Sequence, residues 1–258
     1  MVAVRPRLGA SLLRLFTVQG SWNYERMLGV GVGVAEEPLL RPLAQANAGR
    51  VAGGASGTAA YHEAVARGAH FFNAHPYLCG LAVGAAARAE YDGAAPEEVE
   101  RLRRALCGPL GSLGDRLVWA GWLPLTAGLA LGGVALGLGW PAVVAFLVVY
   151  NLGHVALRWW ALRAGWALGT RVAAALHHPA LQRAAAVSGP AMAFAMGAAL
   201  PLVAVYLGGP FPGWAQAVLA GIAAGGFLVL RWRPGTLTGV RLGLIVVAVT
   251  VVVGWAWR

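Results

Sequence analysis

The side chains able to do chemistry in this chain are few, and they gather in three short segments of its first half. Gln19-Gly20-Ser21-Trp22-Asn23-Tyr24-Glu25-Arg26-Met27 supplies an amide, a carboxylate, a guanidinium and two large aromatics within nine residues. Amides and carboxylates that bond hydroxyls, beside an aromatic ring that covers C–H groups, are what a sugar needs. On composition alone an interfacial helix start fits the segment better, with Ser21 as N-cap and Trp22 as membrane anchor. Phe71-Phe72-Asn73-Ala74-His75-Pro76-Tyr77 sets Asn73 and His75 among aromatics. Pro76 biases His75 toward extended geometry, which predicts a helix break with free backbone groups. There the polar residues either bond a substrate or make a turn. Gly108-Pro109-Leu110-Gly111-Ser112-Leu113-Gly114-Asp115-Arg116 holds, at Asp115, the last carboxylate of the chain. Its glycines and proline predict a broken helix whose exposed amides receive a polar group. Asp115 then either binds substrate at a broken-helix mouth or caps the helix that follows. Further on, Asn151 and His154 stand three residues apart in an apolar run, where polar side chains face protein or a cavity.

Other chemistries are excluded by spacing. His62, His70 and His75 share no helical face and have no suitably placed carboxylate, so no metal site is expected. The third segment lacks the Lys-Ser/Thr and preceding strand of a P-loop, and Gly29-Val30-Gly31-Val32-Gly33 has the wrong spacing for a dinucleotide fingerprint. No nucleophile–base pair appears, and no cofactor or catalytic residue is expected of the chain itself. Cys79 and Cys107 suit neither a metal nor a disulfide framework and read as small packing residues.

The elements that must position these residues are membrane helices. Of 258 residues, 59% are apolar and 12% charged, about half the charge of a soluble domain; mean hydropathy is +0.64. All ten carboxylates lie between Glu25 and Asp115, and the remainder carries Arg alone as charge. Basic residues that punctuate apolar runs mark cytoplasmic loops rather than a nucleic-acid face, so no nucleic acid is expected. Leu117–Leu157, Ala184–Leu230 and Leu242–Trp257 hold no charge. A helical crossing takes about 20 apolar residues, so these runs predict five crossings, broken near Gly139-Trp140-Pro141 and Gly208–Gly213. The predicted spans are 117–139, 141–160, 184–207, 213–230 and 240–257. Arg158–Arg183 and Arg231–Arg241 are then cytoplasmic, and the tryptophans fall near span ends. Residues 1–116 are expected to form a region of amphipathic or re-entrant helices, with a Gly/Ala-rich connector at Val51–Gly57, and its start lacks the pattern of a signal peptide. The fold class is thus an all-α integral membrane protein: about five transmembrane helices plus N-terminal amphipathic or re-entrant helices.

In order and spacing the segments resemble the IID component of the mannose/fructose/sorbose class of phosphoenolpyruvate-dependent sugar phosphotransferase systems (PTS). Ser21-Trp22-Asn23-Tyr24-Glu25-Arg26-Met27 reproduces that family's first motif. Phe71–Pro76 matches the second except for Ala74 in place of Thr, and Gly108–Asp115 follows the third loosely, with Arg116 where a Ser is usual. Tyr150-Asn151-Leu152 and Leu157-Arg158 match a later pair. The resemblance implies a multi-pass subunit of the bacterial cytoplasmic (inner) membrane, in contact with lipid. It also implies a IIC membrane partner, a trimer of IIC–IID heterodimers, and soluble IIA and IIB phosphocarriers. The substrate is a hexose or amino sugar taken up with phosphorylation, and IID itself carries no phosphorylated residue. Trp22, Asn23, Glu25, Arg26, Asn73, His75, Asp115 and Asn151 are the residues expected to bind substrate or shape its site. Ala74 and Arg116 depart from the pattern, which leaves an alternative: a non-transporting scaffold or regulatory remnant of an incomplete system.

Overall fold

The computed structural model describes residues 6–48 and 55–208, with residues 213, 214, 221 and 225. The connector at 51–57 lies largely outside the described residues, as do the predicted spans 213–230 and 240–257 and the Arg231–Arg241 segment between them. The described chain is helical: α1 (Leu8–Leu15), α2 (Gly29–Ala48), α3 (Ala55–Gly68), α4 (Cys79–Asp92), α5 (Pro96–Gly114), α6 (Leu123–Ala135), α7 (Trp140–Leu168), α8 (Ala173–Leu176) and α9 (Pro179–Gly208). Residues Asp115–Trp122 join α5 to α6 as π-helical turns, and Gly169–Arg171 form a 3₁₀ turn after α7. Residues 1–200 form one compact unit and residues 201–258 a second.

Among the described residues, three helical stretches are long and apolar enough to cross a membrane: Pro96–Ala135, Trp140–Arg171 and Ala173–Leu207. Their outward faces carry exposed apolar side chains, among them Leu129, Trp140, Leu147, Leu152, Phe194 and Leu200. Water would penalise such surface, whereas hydrocarbon is its natural solvent. The molecule is an all-α integral membrane protein. The Gly108–Asp115 segment differs from its expected form. It does not break the helix, because α5 runs through Pro109 to Gly114 and continues without interruption into the π-helical turns.

Helices α1–α4 pack on one another, and α5 joins them through α4 and through Arg103. Arg103 of α5 reaches Glu36 of α2 at 2.8 Å and the carbonyl of Gly68 at the end of α3 at 2.7 Å, all fully buried. Arg67 of α3 pairs with Glu90 of α4 at 2.8 Å, and the Ser11 hydroxyl of α1 donates to the Ala35 carbonyl at 2.7 Å. This polar frame encloses Leu15, Val32, Leu39, Phe72, Leu78 and Leu81. Helix α4 then lies flat along α7. A Cβ on Gly84 would sit 2.5 Å from the Leu162 carbonyl oxygen, and one on Gly165 would sit 2.3 Å from that of Leu81. Small residues let two backbones meet where apolar side chains alone give no net drive in lipid. The α4–α7 contact thereby fixes the N-terminal helices to the second membrane span.

Candidate functional site

The first motif is a closed loop between α1 and α2, and Asn23 closes it. Its Oδ1 accepts from the amides of Glu25 (3.1 Å) and Arg26 (2.8 Å), while Nδ2 donates to the Ser21 carbonyl at 3.2 Å. An Asn side chain in place of backbone partners is the usual chemistry of such a turn. The Met27 amide donates to the Asn23 carbonyl at 2.8 Å, and Met27 alone among described non-glycine residues holds a positive φ, 51°. The loop then joins the second motif through the backbone. The Leu28 amide donates to the Phe72 carbonyl at 2.9 Å, and the Phe72 amide donates to the Arg26 carbonyl at 3.2 Å.

In the second motif Pro76 leaves His75 at the foot of α4. The His75 carbonyl accepts from the amides of Leu78 (3.0 Å) and Cys79 (3.2 Å) and from the Cys79 thiol (3.3 Å). Burial pushes that thiol up to about 12, so Cys79 is an inert packing group. The His75 ring is 1% exposed and lies on the end of α5. A Cβ on Gly114 would fall 2.1 Å from the His75 Cβ, so only glycine lets the ring seat there. Gly114 serves this approach rather than breaking its helix. Trp119 and Tyr77 stand at 5.1 and 5.0 Å from the ring. Burial, aided by the nearby Arg158 charge, pushes His75 down to about 4. Its Nδ1 accepts from the Tyr77 amide at 3.2 Å, which leaves the ring proton on Nε2, a buried atom without a protein partner.

The three segments meet around a cavity of about 620 Å³. Trp22 and Gln19 line it from the first, Asn73, Ala74 and His75 from the second, and Gly111, Ser112, Asp115 and Trp119 from α5 and the π-helical turns. Trp22 is 46% exposed, its ring at 4.8 Å from Tyr24, and Asn73 and Asp115 also show their side chains to the opening. Asp115 is the one carboxylate on the lining, which holds no Arg, and no metal-ligating cluster occurs among the described residues. An aromatic wall, an amide and a carboxylate suit a neutral, hydroxyl-rich molecule.

Other expected residues lie elsewhere. Asn23 builds the loop, and Glu25 and Arg26 are exposed outside the lining, with Arg26 contributing its carbonyl. Asn151 is exposed on α7 and donates to the Leu147 carbonyl of its own helix at 2.6 Å. Two residues escaped the sequence reading. Trp119, expected as a span-end anchor, follows Asp115 by one turn and lines the same cavity; that spacing was the available signal. Arg158, expected in a cytoplasmic loop, is 4% exposed inside α7. Its guanidinium donates to the carbonyls of Leu15 and of Pro76, the latter at 3.3 Å, and stacks over Tyr77 at 4.6 Å and Phe16 at 5.3 Å. It therefore ties the end of α1 to the His75–Pro76 bend.

A family model for the "PTS system mannose/fructose/sorbose family IID component" matches residues 5–211. The chain belongs to this family of IID components. Among curated relatives, the sorbose-specific EIID component of Klebsiella pneumoniae is 31% identical over 185 residues, covering 68% of this chain and 62% of that protein. The mannose-specific EIID component of Escherichia coli (strain K12) is 29% identical over 166 residues, covering 61% and 53%. The match thus spans somewhat over half the length of these relatives. Among solved structures, a chain of the cryo-EM complex of the mannose transporter ManYZ with microcin E492 aligns with a TM-score of 0.55 at 20% identity, over 96% of this IID chain and 95% of that one. A second, described as a membrane protein, aligns with a TM-score of 0.64 at 20% identity, over 96% and 94%. These two likenesses concern the fold.

Proposed function

We propose that this IID chain is the membrane subunit of a mannose-class permease that forms, with a IIC partner, the translocation unit for a hexose or amino sugar. The observation that carries the reading is the single cavity built from all three motif segments, with Trp22, Asn73, His75 and Asp115 on its wall. In this reading the aromatic ring covers a sugar face, Asn73 and Asp115 bond its hydroxyls, and the buried His75 shapes the wall behind them. Asn23, Glu25 and Arg26 shape the wall and the partner-facing surface, and Asn151 belongs to a contact between helices or subunits. The chain lies in the bacterial inner membrane with five crossings, its N-terminal region ending near residue 116. It assembles as a trimer of IIC–IID heterodimers, and soluble IIA and IIB proteins deliver phosphate on the cytoplasmic side.

The departures that suggested a non-transporting remnant weigh little against this reading. Arg116 lies outside the motif-lined cavity, and Ala74 is buried in its wall. The deciding experiment is phosphoenolpyruvate-dependent uptake of labelled hexoses and amino sugars. Cells expressing the chain with its neighbouring IIC, IIA and IIB are compared with cells lacking only this chain. Uptake that vanishes without the chain, with sugar phosphate accumulating in its presence, supports the permease. Equal uptake despite assembly with IIC supports the scaffold.

A further inference from the structure

A second cavity, of about 490 Å³, is lined by Ser112, Arg116, His177 and Gln182 with three apolar side chains. Asp115 and Arg116 are adjacent in sequence but line different cavities, so the carboxylate faces away from this one. No carboxylate lines it, and the Arg116 guanidinium makes no ion pair or hydrogen bond among the described residues. The Gln182 amide donates to the Leu176 carbonyl at 2.5 Å and the Ser112 hydroxyl to the Pro109 carbonyl at 3.4 Å, while Arg116 and His177 remain as donors toward the space.

Its level in the membrane is set by the helices. Arg116 immediately precedes the charge-free run from Leu117, and His177 lies near the junction where α7 ends and α9 begins. Both therefore sit at one membrane–water boundary. Exposed Arg163, Arg171 and Arg183 flank that junction, and no acid follows Asp115 in the chain. Basic pockets between membrane helices at such a boundary suit phosphorylated headgroups, and a guanidinium fork matches phosphate oxygens two at a time. We infer that this cavity binds a phosphate ester group, held by Arg116 with His177. The group arrives either on an anionic lipid headgroup or free in solution.

The test uses the full chain, extracted from membranes with its accompanying subunits and reconstituted in phosphatidylcholine nanodiscs. Thermal unfolding is followed while phosphatidylglycerol is increased or, separately, inorganic phosphate is added. The midpoint should rise with one of them, and Arg116→Gln should weaken the half-saturation point about tenfold without altering the midpoint in phosphatidylcholine alone. Arg163→Gln, whose guanidinium instead sits over Trp159 at 5.6 Å, should retain the full response. A response to phosphatidylglycerol alone identifies a lipid headgroup, and a response to inorganic phosphate identifies a soluble ester. His177→Gln, a change at an exposed turn, gives a second reading in which the response should also weaken. Equal responses in wild type and both cavity variants, or no response to either addition, would overturn the assignment.

Discussion

Gly111 and Gly114 lie one turn apart on α5, and the same substitution at each should act in opposite directions. A Cβ at 114 would meet the His75 Cβ at 2.1 Å and Cγ at 2.4 Å, whereas one at 111 has as its nearest neighbour the Ala74 Cα at 3.9 Å. Carbon atoms in good contact stand about 3.5–4.0 Å apart, so Gly114→Ala must drive the ring or the helix back by roughly 1.5 Å. The ring cannot yield easily, being fully buried against Trp119 and Tyr77. Overpacking of this kind costs about 1–3 kcal/mol, more than the 0.5–1 kcal/mol that Ala gains over Gly inside a helix. Gly111→Ala keeps that gain without the clash. Thermal unfolding of the assembled complex should therefore show Gly114→Ala below wild type and Gly111→Ala at or above it. Uptake per assembled Gly114→Ala complex should fall sharply, since an ångström of displacement at a binding site can cost about a hundredfold. Equal stability of the two variants would refute the account of Gly114 as the seat of His75.

Asp115→Asn keeps the shape of the only carboxylate on the motif-lined cavity, so assembly should stay intact while uptake falls about ten- to a hundredfold. Wild-type uptake would reduce Asp115 to a position within the helix. Arg158→Met leaves the Pro76 carbonyl without a donor and the Leu15 carbonyl with the Val18 amide alone, and should cost about 1–3 kcal/mol in unfolding experiments; an unchanged midpoint would show that the bend stands without it. The unfolded chain takes up a proton at His75 near pH 6.5, whereas the folded chain resists until about pH 4. The stability due to neutral His75 is thus present above pH 6.5 and lost as pH falls toward 4. His75→Gln should remove about one proton from the pH dependence in that window, and identical slopes for the two proteins would contradict a neutral, buried ring.

The membrane character was legible in charge-free runs because hydrocarbon accepts few other sequences. The local roles of polar residues were less so. Helix α5 shows why: glycine and proline spacing argued for a broken helix, yet Pro109 is tolerated and Gly114 answers to a ring thirty-nine positions earlier in the chain. Local propensity cannot register such an approach. Arg158 misled for a related reason. A charge after an apolar run reads as a loop, but α7 continues to Leu168 and turns the guanidinium inward to carbonyls no pattern could name. Trp119 was hidden by the opposite error, since tryptophan near a span end has a ready interfacial explanation.

The same geometry divides the motif residues by what remains free on each side chain. Asn23 spends its Oδ1 on two amides and one Nδ2 proton on Ser21, so little is left for a ligand, and its presence in a motif reflects loop closure. His75 is the reverse case: its carbonyl and Nδ1 are both engaged in building the bend, which holds Nε2–H buried, oriented and unused. An unpaired buried donor costs about 1–3 kcal/mol. Trp22, Asn73 and Asp115 carry no such structural bonds and project into the same space. In the proposed permease, binding therefore falls to those three, while Asn23, His75, Gly114 and Arg158 hold the wall on which they stand. A substitution in the first group should alter affinity at constant stability, and one in the second should alter both together.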